Sequence, residues 1–322
     1  MANLAFDGGA VERLWQSAAV QPSAVAGVTV VVPTRDRPEQ LATCLASLRT
    51  TLHDLDELIV ADSASVDEQR VAEVASAAGA HVVRCALPGV NRARNAGWRA
   101  GTNAVVLFTD DDVVVDRAWR DALAGAVIAA PEIGFVTGRV LPPDGEQPSR
   151  DVAIKRDDQP ATYDATSVGN LGHGASLAVR REVLERVGGW DDAMGTGGRF
   201  GAAPEHDLFD RLFAAGYVGR FEPTALAWHG QWRGPRRLLL LDLRYGYGSG
   251  ARLAKLWRLD RPRARRATAD YFGGGGRELM RELRSRHGYP SLGTLLRLLA
   301  IPVGLLRGMT VRLVDGHYRD PS

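Results

Sequence analysis

The sequence predicts an α/β protein with a doubly wound, mostly parallel sheet flanked by helices and followed by a C-terminal helical extension. Two observations lead to this fold class. From Gly27 onward, short runs of Val, Ile and Leu alternate with longer stretches of helical periodicity, which is the pattern of repeated strand–helix units. The apolar runs are continuous, as expected of strands that helices cover on both faces.

The elements are predicted in the following order. The strands are residues 28–32, 57–61, 81–84, 104–109, 133–140, 175–179 and 226–228. The helices are one from Asp36 with Leu41, Leu45 and Leu48 on its apolar face, and residues 68–78, 91–100, 117–130, 181–187 and 205–215. Residues 142–164 are polar and predict a loop over the site, and the four glycines within residues 191–204 predict a flexible loop.

The pattern divides the chain into three regions. Residues 1–26 form an extension with a short helix at 11–18, residues 27–230 form the α/β domain, and residues 231–322 form a helical region with breaks at 273–276 and 288–290. Residues 1–230 carry 21 Lys and Arg against 31 Asp and Glu, whereas residues 231–322 carry 19 against 7. An acidic body with a basic tail predicts different partners for the two parts.

Composition limits the environment of the protein. Two cysteines, Cys44 and Cys85, exclude a disulfide framework and favour a reducing compartment. The first residues lack the basic and apolar regions of a signal peptide. The longest uncharged apolar run, residues 298–306, is shorter than the ~20 residues that span a bilayer. We therefore expect a cytoplasmic protein, with peripheral attachment to the inner face of the membrane left open, and no nucleic-acid partner.

Three consecutive carboxylates, Asp110, Asp111 and Asp112, follow the predicted strand at residues 104–109. Adjacent carboxylates repel one another unless a cation or solvent compensates them. Because Mg²⁺ binds through one or two carboxylates and substrate phosphates, the cluster indicates a metal site. The alternative is a solvated acidic turn in which Asp112 caps the next helix.

A series of short motifs surrounds the strand ends. In chain order they are Val32-Pro-Thr-Arg-Asp-Arg-Pro38, Asp62-Ser-Ala-Ser, Gly89-Val-Asn-Arg-Ala-Arg-Asn-Ala-Gly97, Phe108-Thr-Asp-Asp-Asp112, Gly174-Ala-Ser-Leu-Ala, Gly188-Gly-Trp-Asp191, Pro204-Glu-His-Asp-Leu-Phe-Asp-Arg211 and Trp228-His229. In this order and spacing, residues 28–230 resemble the family-two glycosyltransferases of GT-A fold. The resemblance implies a nucleoside-diphosphate sugar donor, an acceptor hydroxyl of unknown type and a divalent cation, Mg²⁺ or Mn²⁺.

The resemblance also implies residue roles. Matched position by position, the donor-binding residues are Pro33, Thr34, Arg35, Asp62, Arg94, Asn95, Asp110 and Asp111. Asp110 and Asp112 match the outer acids of the DxD motif, and His229 matches a histidine that completes the metal site. The segment Ala61-Asp-Ser-Ala-Ser65 departs from the family pattern of two acids and a glycine, although Asp62 keeps the second acid. Structural alternatives remain for Arg94, as the partner of a surface carboxylate, and for His229, as a half-buried histidine.

The catalytic base is predicted on the helix at residues 205–215. Inverting transfer needs a carboxylate that takes the proton of the acceptor hydroxyl. If Asp207, Leu208 and Arg211 match the Asp-Leu and Arg of the family, Glu205 stands where the family has its base. We favour Glu205, with Asp207 as the alternative base. The structural alternative is that Glu205 only stabilises the helix N-terminus.

Two other function classes remain, a nucleotidyltransferase and a non-catalytic nucleotide-binding scaffold. The first usually has a Gly-rich phosphate loop with a lysine near the first strand, where this chain has Pro33-Thr-Arg-Asp-Arg37. The basic C-terminal region adds arginine clusters and an apolar stretch at residues 292–314, interrupted by Pro302 and Gly304. Its leucines are predicted either to contact an anionic membrane or to pack on the catalytic domain or a second subunit, so a homo-oligomer stays open.

Overall fold

The computed structural model describes residues 27–146, 151–231, 233–284 and 288–319, without the side chains of residues 288 and 289. The predicted extension at residues 1–26, including its helix at 11–18, lies outside the described residues.

A nine-stranded sheet forms the centre of the α/β domain. Its order is β3-β2-β1-β4-β8-β6-β9-β5, with β7 paired to β9. The strands are β1 (Val28–Thr34), β2 (Glu57–Asp62), β3 (His81–Arg84), β4 (Val105–Phe108), β5 (Val113–Val115), β6 (Ile133–Leu141), β7 (Ala161–Tyr163), β8 (Leu177–Arg180) and β9 (Val218–His229). β1, β2, β3 and β4 are mutually parallel, and antiparallel pairs begin where β8 inserts between β4 and β6.

Helices cover both faces of this sheet. The helices of the domain are α1 (Pro38–Arg49), α2 (Glu68–Ala77), α3 (Val90–Ala100), α4 (Trp119–Ile128), α5 (Arg181–Val187) and α6 (Pro204–Ala214). Alternate residues of β1 join different cores: Val30 packs with α1, α2 and α4, whereas Val31 packs with α3 and α6. Because side chains alternate across a strand, the unbroken apolar run of β1 serves two cores at once. The predicted doubly wound GT-A-type fold is confirmed.

The C-terminal region consists of three long helices and a hairpin. The helices are α7 (Pro235–Leu259), α8 (Arg261–Arg284) and α9 (Gly288–Thr310), and the hairpin is β10 (Arg312–Val314) with β11 (His317–Arg319). The predicted break at residues 273–276 is wrong, because α8 continues through these glycines. α9 likewise continues through Pro302.

The final hairpin corrects the expectation that the chain stays helical to its end. Asp315 and Gly316, both with positive φ, form the turn between its strands. Asp-Gly between short apolar runs is a strong hairpin signal, so the sequence contained this information. Tyr318 of β11 donates from its hydroxyl to the Ala251 carbonyl at 2.7 Å and thereby attaches the hairpin to α7.

The C-terminal helices are joined to the domain by buried ion pairs. On α7, Arg252 contacts Asp210 at 2.6 Å and Lys255 contacts Asp207 at 2.6 Å, and both acids lie on α6. Arg263 of α8 contacts the same Asp210 at 2.7 Å. Part of the basic tail therefore balances the acidic body directly.

Candidate active site

A cavity of about 730 Å³ lies at the carboxyl ends of β1 and β4. On one side it is lined by Pro33, Thr34 and Arg35 after β1. On the other side it reaches Leu298 and Ile301 of α9. The loop carrying the three aspartates and the first turn of α6 lie between these two sides, as expected of a ligand site in an α/β sheet.

The three aspartates bind different cationic or polar partners. Asp110 accepts from Arg94 at 2.9 Å. Asp111 accepts from the Thr34 hydroxyl at 2.8 Å and from Arg37 at 3.1 Å. Arg37 also contacts Asp112 at 3.2 Å. The cluster is therefore not a solvated acidic turn but a set of carboxylates held by neighbouring side chains.

The middle aspartate is the most enclosed of the three. Burial and the charge of Asp112 raise the pKa of Asp111 to about 7, against the opposing effects of Arg37 and Thr34. Its hydrogen bond to Thr34 connects the aspartate loop to the end of β1. Through this hydrogen bond, Asp111 holds in place the loop that carries Asp110 and Asp112.

His229, at the end of β9, lies beside the last aspartate. Its Nε2 is 3.4 Å from Asp112 Oδ1, and its buried Nδ1 has no hydrogen-bond partner among the described residues. Burial of the ring opposes protonation, but the charges of Asp112 and Asp110 outweigh it and raise the pKa of His229. The histidine is therefore held next to the acids, as the sequence predicted.

The chemistry of these side chains fits a divalent cation in part. Within the described residues, no group of three His, Cys, Asp or Glu is assembled as a metal site. Asp112 and His229, 3.4 Å apart, are spaced much like neighbouring ligands of one octahedral ion, which stand about 3 Å apart. Mg²⁺ completes its shell with water and substrate phosphates, so two protein ligands are enough.

Arg94 connects the aspartate loop to α6. Its guanidinium contacts Asp110 at 2.9 Å and Glu205 at 3.3 Å, and it stacks on the Trp190 ring at 4.5 Å. A Cβ at position 174 would stand 2.4 Å from this guanidinium, so Gly174 leaves the room that Arg94 needs. The predicted alternative of an arginine paired at the surface is excluded, because the side chain is only 2% exposed.

Glu205 lies in the first turn of α6 and lines the cavity. Its carboxylate accepts from Arg94 and from the Gly174 amide, each at 3.3 Å. Ala203, the residue before α6, has a φ of 57°, a left-handed conformation that costs energy for a residue with a side chain. The strained entry to α6 brings Glu205 to the cavity wall.

Asp207, the alternative base, is on the opposite side of α6. It accepts from Lys255 at 2.6 Å and from Arg211 at 3.2 Å and is 2% exposed. Burial opposes its ionisation, but Lys255 and Arg211 outweigh this and lower the pKa of Asp207. Residues that are two positions apart on a helix point in nearly opposite directions. Glu205 therefore lines the cavity and Asp207 does not.

Two predicted donor residues lie behind the cavity wall. The Asp62 carboxylate accepts from the Ser65 amide at 2.9 Å and from Arg84. The Asn95 side chain donates to the Trp190 carbonyl at 2.8 Å and to Asp192 at 2.9 Å, and its carbonyl accepts from the Trp190 amide at 2.9 Å. Both side chains are buried and neither lines the cavity, so their roles in donor binding stay predictions.

Several residues that line the cavity were not predicted. They are Arg37, Ser63, His173, His206, Arg233 and Tyr245. Arg37 could have been found as the second arginine of the motif after β1, whereas Tyr245 comes from α7 and had no sequence signal. Burial, and next the charge of Arg252, lower the pKa of His206 to about 3.

Asp151, from the described part of the polar loop predicted at residues 142–164, lines the cavity, and so does Asn170 beyond that loop. His173 contacts the Ile154 carbonyl of the loop at 3.2 Å. His206 contacts the carbonyl of Gly169, next to Asn170, at 3.1 Å. The glycine-rich loop closes another side, where the Thr196 carbonyl accepts from the Val90 amide of α3 at 2.9 Å.

Comparisons with known proteins agree with this arrangement. Residues 29–188 match the model of the glycosyl transferase family 2. Pre-mycofactocin glycosyltransferases from two strains of Mycobacterium tuberculosis are 30% identical over 238 residues, which is 70% of this chain and 47% of theirs. The chain thus spans about half the length of the curated relatives it matches. A solved mannosyltransferase from Pyrobaculum calidifontis, in complex with GDP-mannose and Mn²⁺, shares the fold with a TM-score of 0.59, 22% identity and 92% coverage of each chain. From its motifs, its sheet and these matches, the chain belongs to the family-two glycosyltransferases of GT-A fold.

Proposed function

We propose that this protein is an inverting, metal-dependent glycosyltransferase that moves a sugar, such as a hexose, from a nucleoside-diphosphate donor to an acceptor hydroxyl. The observation that carries the proposal is the shared guanidinium of Arg94, which contacts Asp110 and Glu205 within one cavity. Glu205, which would act on the acceptor, and Asp110, which would act on the donor, thereby lie on either side of the Arg94 guanidinium.

The excess of negative charge supports a role for a divalent cation. Four carboxylates, those of Asp110, Asp111, Asp112 and Glu205, lie together around the guanidinium groups of Arg37 and Arg94 and the ring of His229. Asp112 and His229 would hold Mg²⁺ or Mn²⁺, with Asp110 close by. When bound, the ion supplies electrostatic stabilisation of the departing diphosphate.

The residues of the chain supply the rest of the reaction. The acceptor oxygen attacks the anomeric carbon while its proton passes to a carboxylate oxygen of Glu205. The bond from the anomeric carbon to the diphosphate oxygen breaks, and Arg94 faces the negative charge that leaves with the diphosphate. A single displacement from the opposite face inverts the anomeric configuration.

The loops around the cavity support transfer over hydrolysis. Thr196, Gly197 and Gly201 of the glycine-rich loop line the cavity beside α3. Exclusion of water from a closed site limits loss of the activated sugar. We therefore propose that the loop covers the donor during transfer.

Product identity separates this function from the two alternatives. No lysine lines the cavity in the described part of the chain, which argues against the phosphate loop of a nucleotidyltransferase. The test is to incubate the protein with nucleoside-diphosphate sugars, with and without Mn²⁺, and to identify the released phosphate compound. A glycosyltransferase releases nucleoside diphosphate, a nucleotidyltransferase forms pyrophosphate, and a scaffold releases neither.

A further inference from the structure

The C-terminal helices expose many large apolar side chains. Among the described residues, sixteen such side chains are exposed, and twelve of them lie in α7, α8 and α9. Six are on α9, and we call them the α9 stripe: Leu292, Leu295, Leu299, Val303, Leu306 and Met309. Their spacing of three or four residues places them on one face, along about 26 Å of helix.

The opposite face of α9 packs through small residues. A Cβ at Gly304 would lie 1.9 Å from the Tyr247 carbonyl oxygen of α7, and a Cβ at Gly250 would lie 2.0 Å from the Ile301 carbonyl oxygen. The two helix backbones are therefore in direct contact. Gly304 and the buried Ile301 face the protein, whereas the six residues of the α9 stripe face outward.

The row of large apolar side chains on the outward face of α9 is not favoured in water. A surface helix of a water-soluble domain buries its large apolar side chains and exposes polar ones. Helices in contact with lipid pack through small residues, because lipid gives no hydrophobic drive for burying leucine against protein. The α9 stripe is thus matched to acyl chains rather than to water.

Charge at the end of the stripe favours an anionic lipid surface. Arg258, Arg307 and Arg312 are exposed around the C-terminal end of α9. Arg258 donates to the carbonyls of Gly308 and Val311, so its charge is held at that end. Basic residues next to an apolar face are typical of helices that bind anionic membranes.

The helix is oriented along a membrane rather than across it. The segment Pro290–Thr310 is long and apolar enough to cross a bilayer by length and composition, and 28% of its most apolar window is buried. The run without any charged residue, residues 298–306, is the central part of this segment. However, one face of α9 is fixed to α7, whose Arg252 and Lys255 form buried ion pairs with the domain. An attached helix of this kind can insert only its free face.

We propose that α9 is an interfacial helix, which docks this protein on an anionic lipid bilayer by inserting the α9 stripe among the acyl chains. The proposal concerns a surface outside the Arg94 site and does not depend on the proposed reaction. Binding to lipid can therefore be measured without a donor or an acceptor.

The test compares two matched triple variants in a vesicle flotation assay. The first carries Leu299→Gln, Val303→Gln and Leu306→Gln, at positions that are 61%, 58% and 68% exposed. The control carries Leu55→Gln, Val66→Gln and Leu87→Gln, at positions of the α/β domain that are 65%, 90% and 62% exposed. Both remove two leucines and one valine from the surface, so general loss of apolar area is the same.

Wild type and control are expected to float with vesicles of phosphatidylglycerol and phosphatidylcholine, and less with phosphatidylcholine alone. The α9 variant should bind roughly 100-fold more weakly, because three apolar side chains no longer enter the acyl region. Equal thermal unfolding of the three proteins would show that the fold is kept. Equal flotation of all three proteins, or no flotation of wild type, would overturn the proposal. A dimer that the α9 variant abolishes, without vesicle binding by wild type, would instead assign the stripe to a second copy.

Discussion

Two ion clusters on opposite sides of α6 have the same number of charged groups and different surroundings. In the Arg94 cluster, Arg94 lies between Asp110 and Glu205, and in the Lys255 cluster, Lys255 lies between Asp191 and Asp207. Each cluster therefore has one cation and two carboxylates. Only the Arg94 cluster lines the cavity.

The clusters differ in how far their charge is balanced. Arg211 also binds Asp207 at 3.2 Å, so the Lys255 cluster gains a second cation. The Tyr318 amide of the final hairpin donates to Asp191 at 2.8 Å and closes that side. In contrast, the Nε of Arg94 is buried and has no hydrogen-bond partner within the described part of the chain. We infer that a sealed, neutral cluster stabilises the fold, whereas an open cluster with excess acid is available to a ligand.

The largest effect is expected in the Arg94 cluster, on the rate of transfer. Glu205→Gln should lower the rate of transfer by roughly 10²–10⁴-fold, because the amide cannot take the acceptor proton. Binding of the donor should persist, since its contacts are with the aspartate loop. Transfer kinetics and donor titration together check this prediction. If the variant keeps its rate, Glu205 is not the base.

A change in the Lys255 cluster should instead lower the stability of the fold. Asp207→Asn should lower the free energy of unfolding by about 3 kcal/mol, because it leaves the buried charges of Lys255 and Arg211 poorly compensated. Urea unfolding measures the loss, and Glu205→Gln is the matched control that should stay near wild type. The opposite ranking of the two variants would reverse the roles of the clusters.

A third variant tests whether Asp112 takes part in binding the metal ion. Asp112→Ala should weaken metal-dependent binding of the nucleotide by roughly 100-fold, since loss of a direct ligand costs at least as much as loss of an outer partner. Calorimetric titration of a nucleoside diphosphate with and without Mn²⁺ checks it. Affinity unchanged from wild type in both conditions would remove Asp112 from the metal site.

The smallest effect concerns His206, which lies between Glu205 and Asp207 in the sequence of α6. Its folded pKa of about 3 is below the unfolded value of 6.5, so protons bind the unfolded chain more tightly. Its contribution to stability is present above pH 6.5 and is lost as the pH falls towards 3. Lowering the pH from 7.5 to 5 should cost about 2 kcal/mol of unfolding free energy through this group.

The matched variant for this pH effect is His206→Gln, which keeps a polar side chain but does not titrate. Urea unfolding of both proteins at pH 7.5 and pH 5 isolates the contribution of the ring. The variant should lose about 2 kcal/mol less than wild type over this interval. An equal loss in both proteins would mean that the histidine does not stay neutral in the fold.

The sequence predicted the sheet more completely than the site. Strands such as β1 were found because an unbroken apolar run has few other uses in a mixed α/β pattern. β5 was missed because three residues directly after the aspartates are too few to show a period. The hairpin at Asp315 and Gly316 was missed although its turn signal was present.

The site could not be predicted as fully, because it depends on contacts between residues that are distant in sequence. Glu205 and Asp207 are two positions apart and chemically alike, and the residue that distinguishes them, Lys255, lies on α7. Asn95 matched a family motif, but only the structure shows that its amide is used by the Trp190 loop. The apolar stretch at residues 292–314 was recognised, but only the packing of Gly304 and Ile301 shows which of its side chains point outward.

The configuration of the first sugar released tests the central claim most directly. Water can replace the acceptor, so the experiment needs only an α-linked nucleoside-diphosphate sugar, Mn²⁺ and time-resolved proton NMR. Single displacement assisted by Glu205 predicts that the first free sugar is the β-anomer and that Glu205→Gln forms it at least about 100-fold more slowly. An α-anomer as the first product, or equal rates for wild type and variant, would contradict the account.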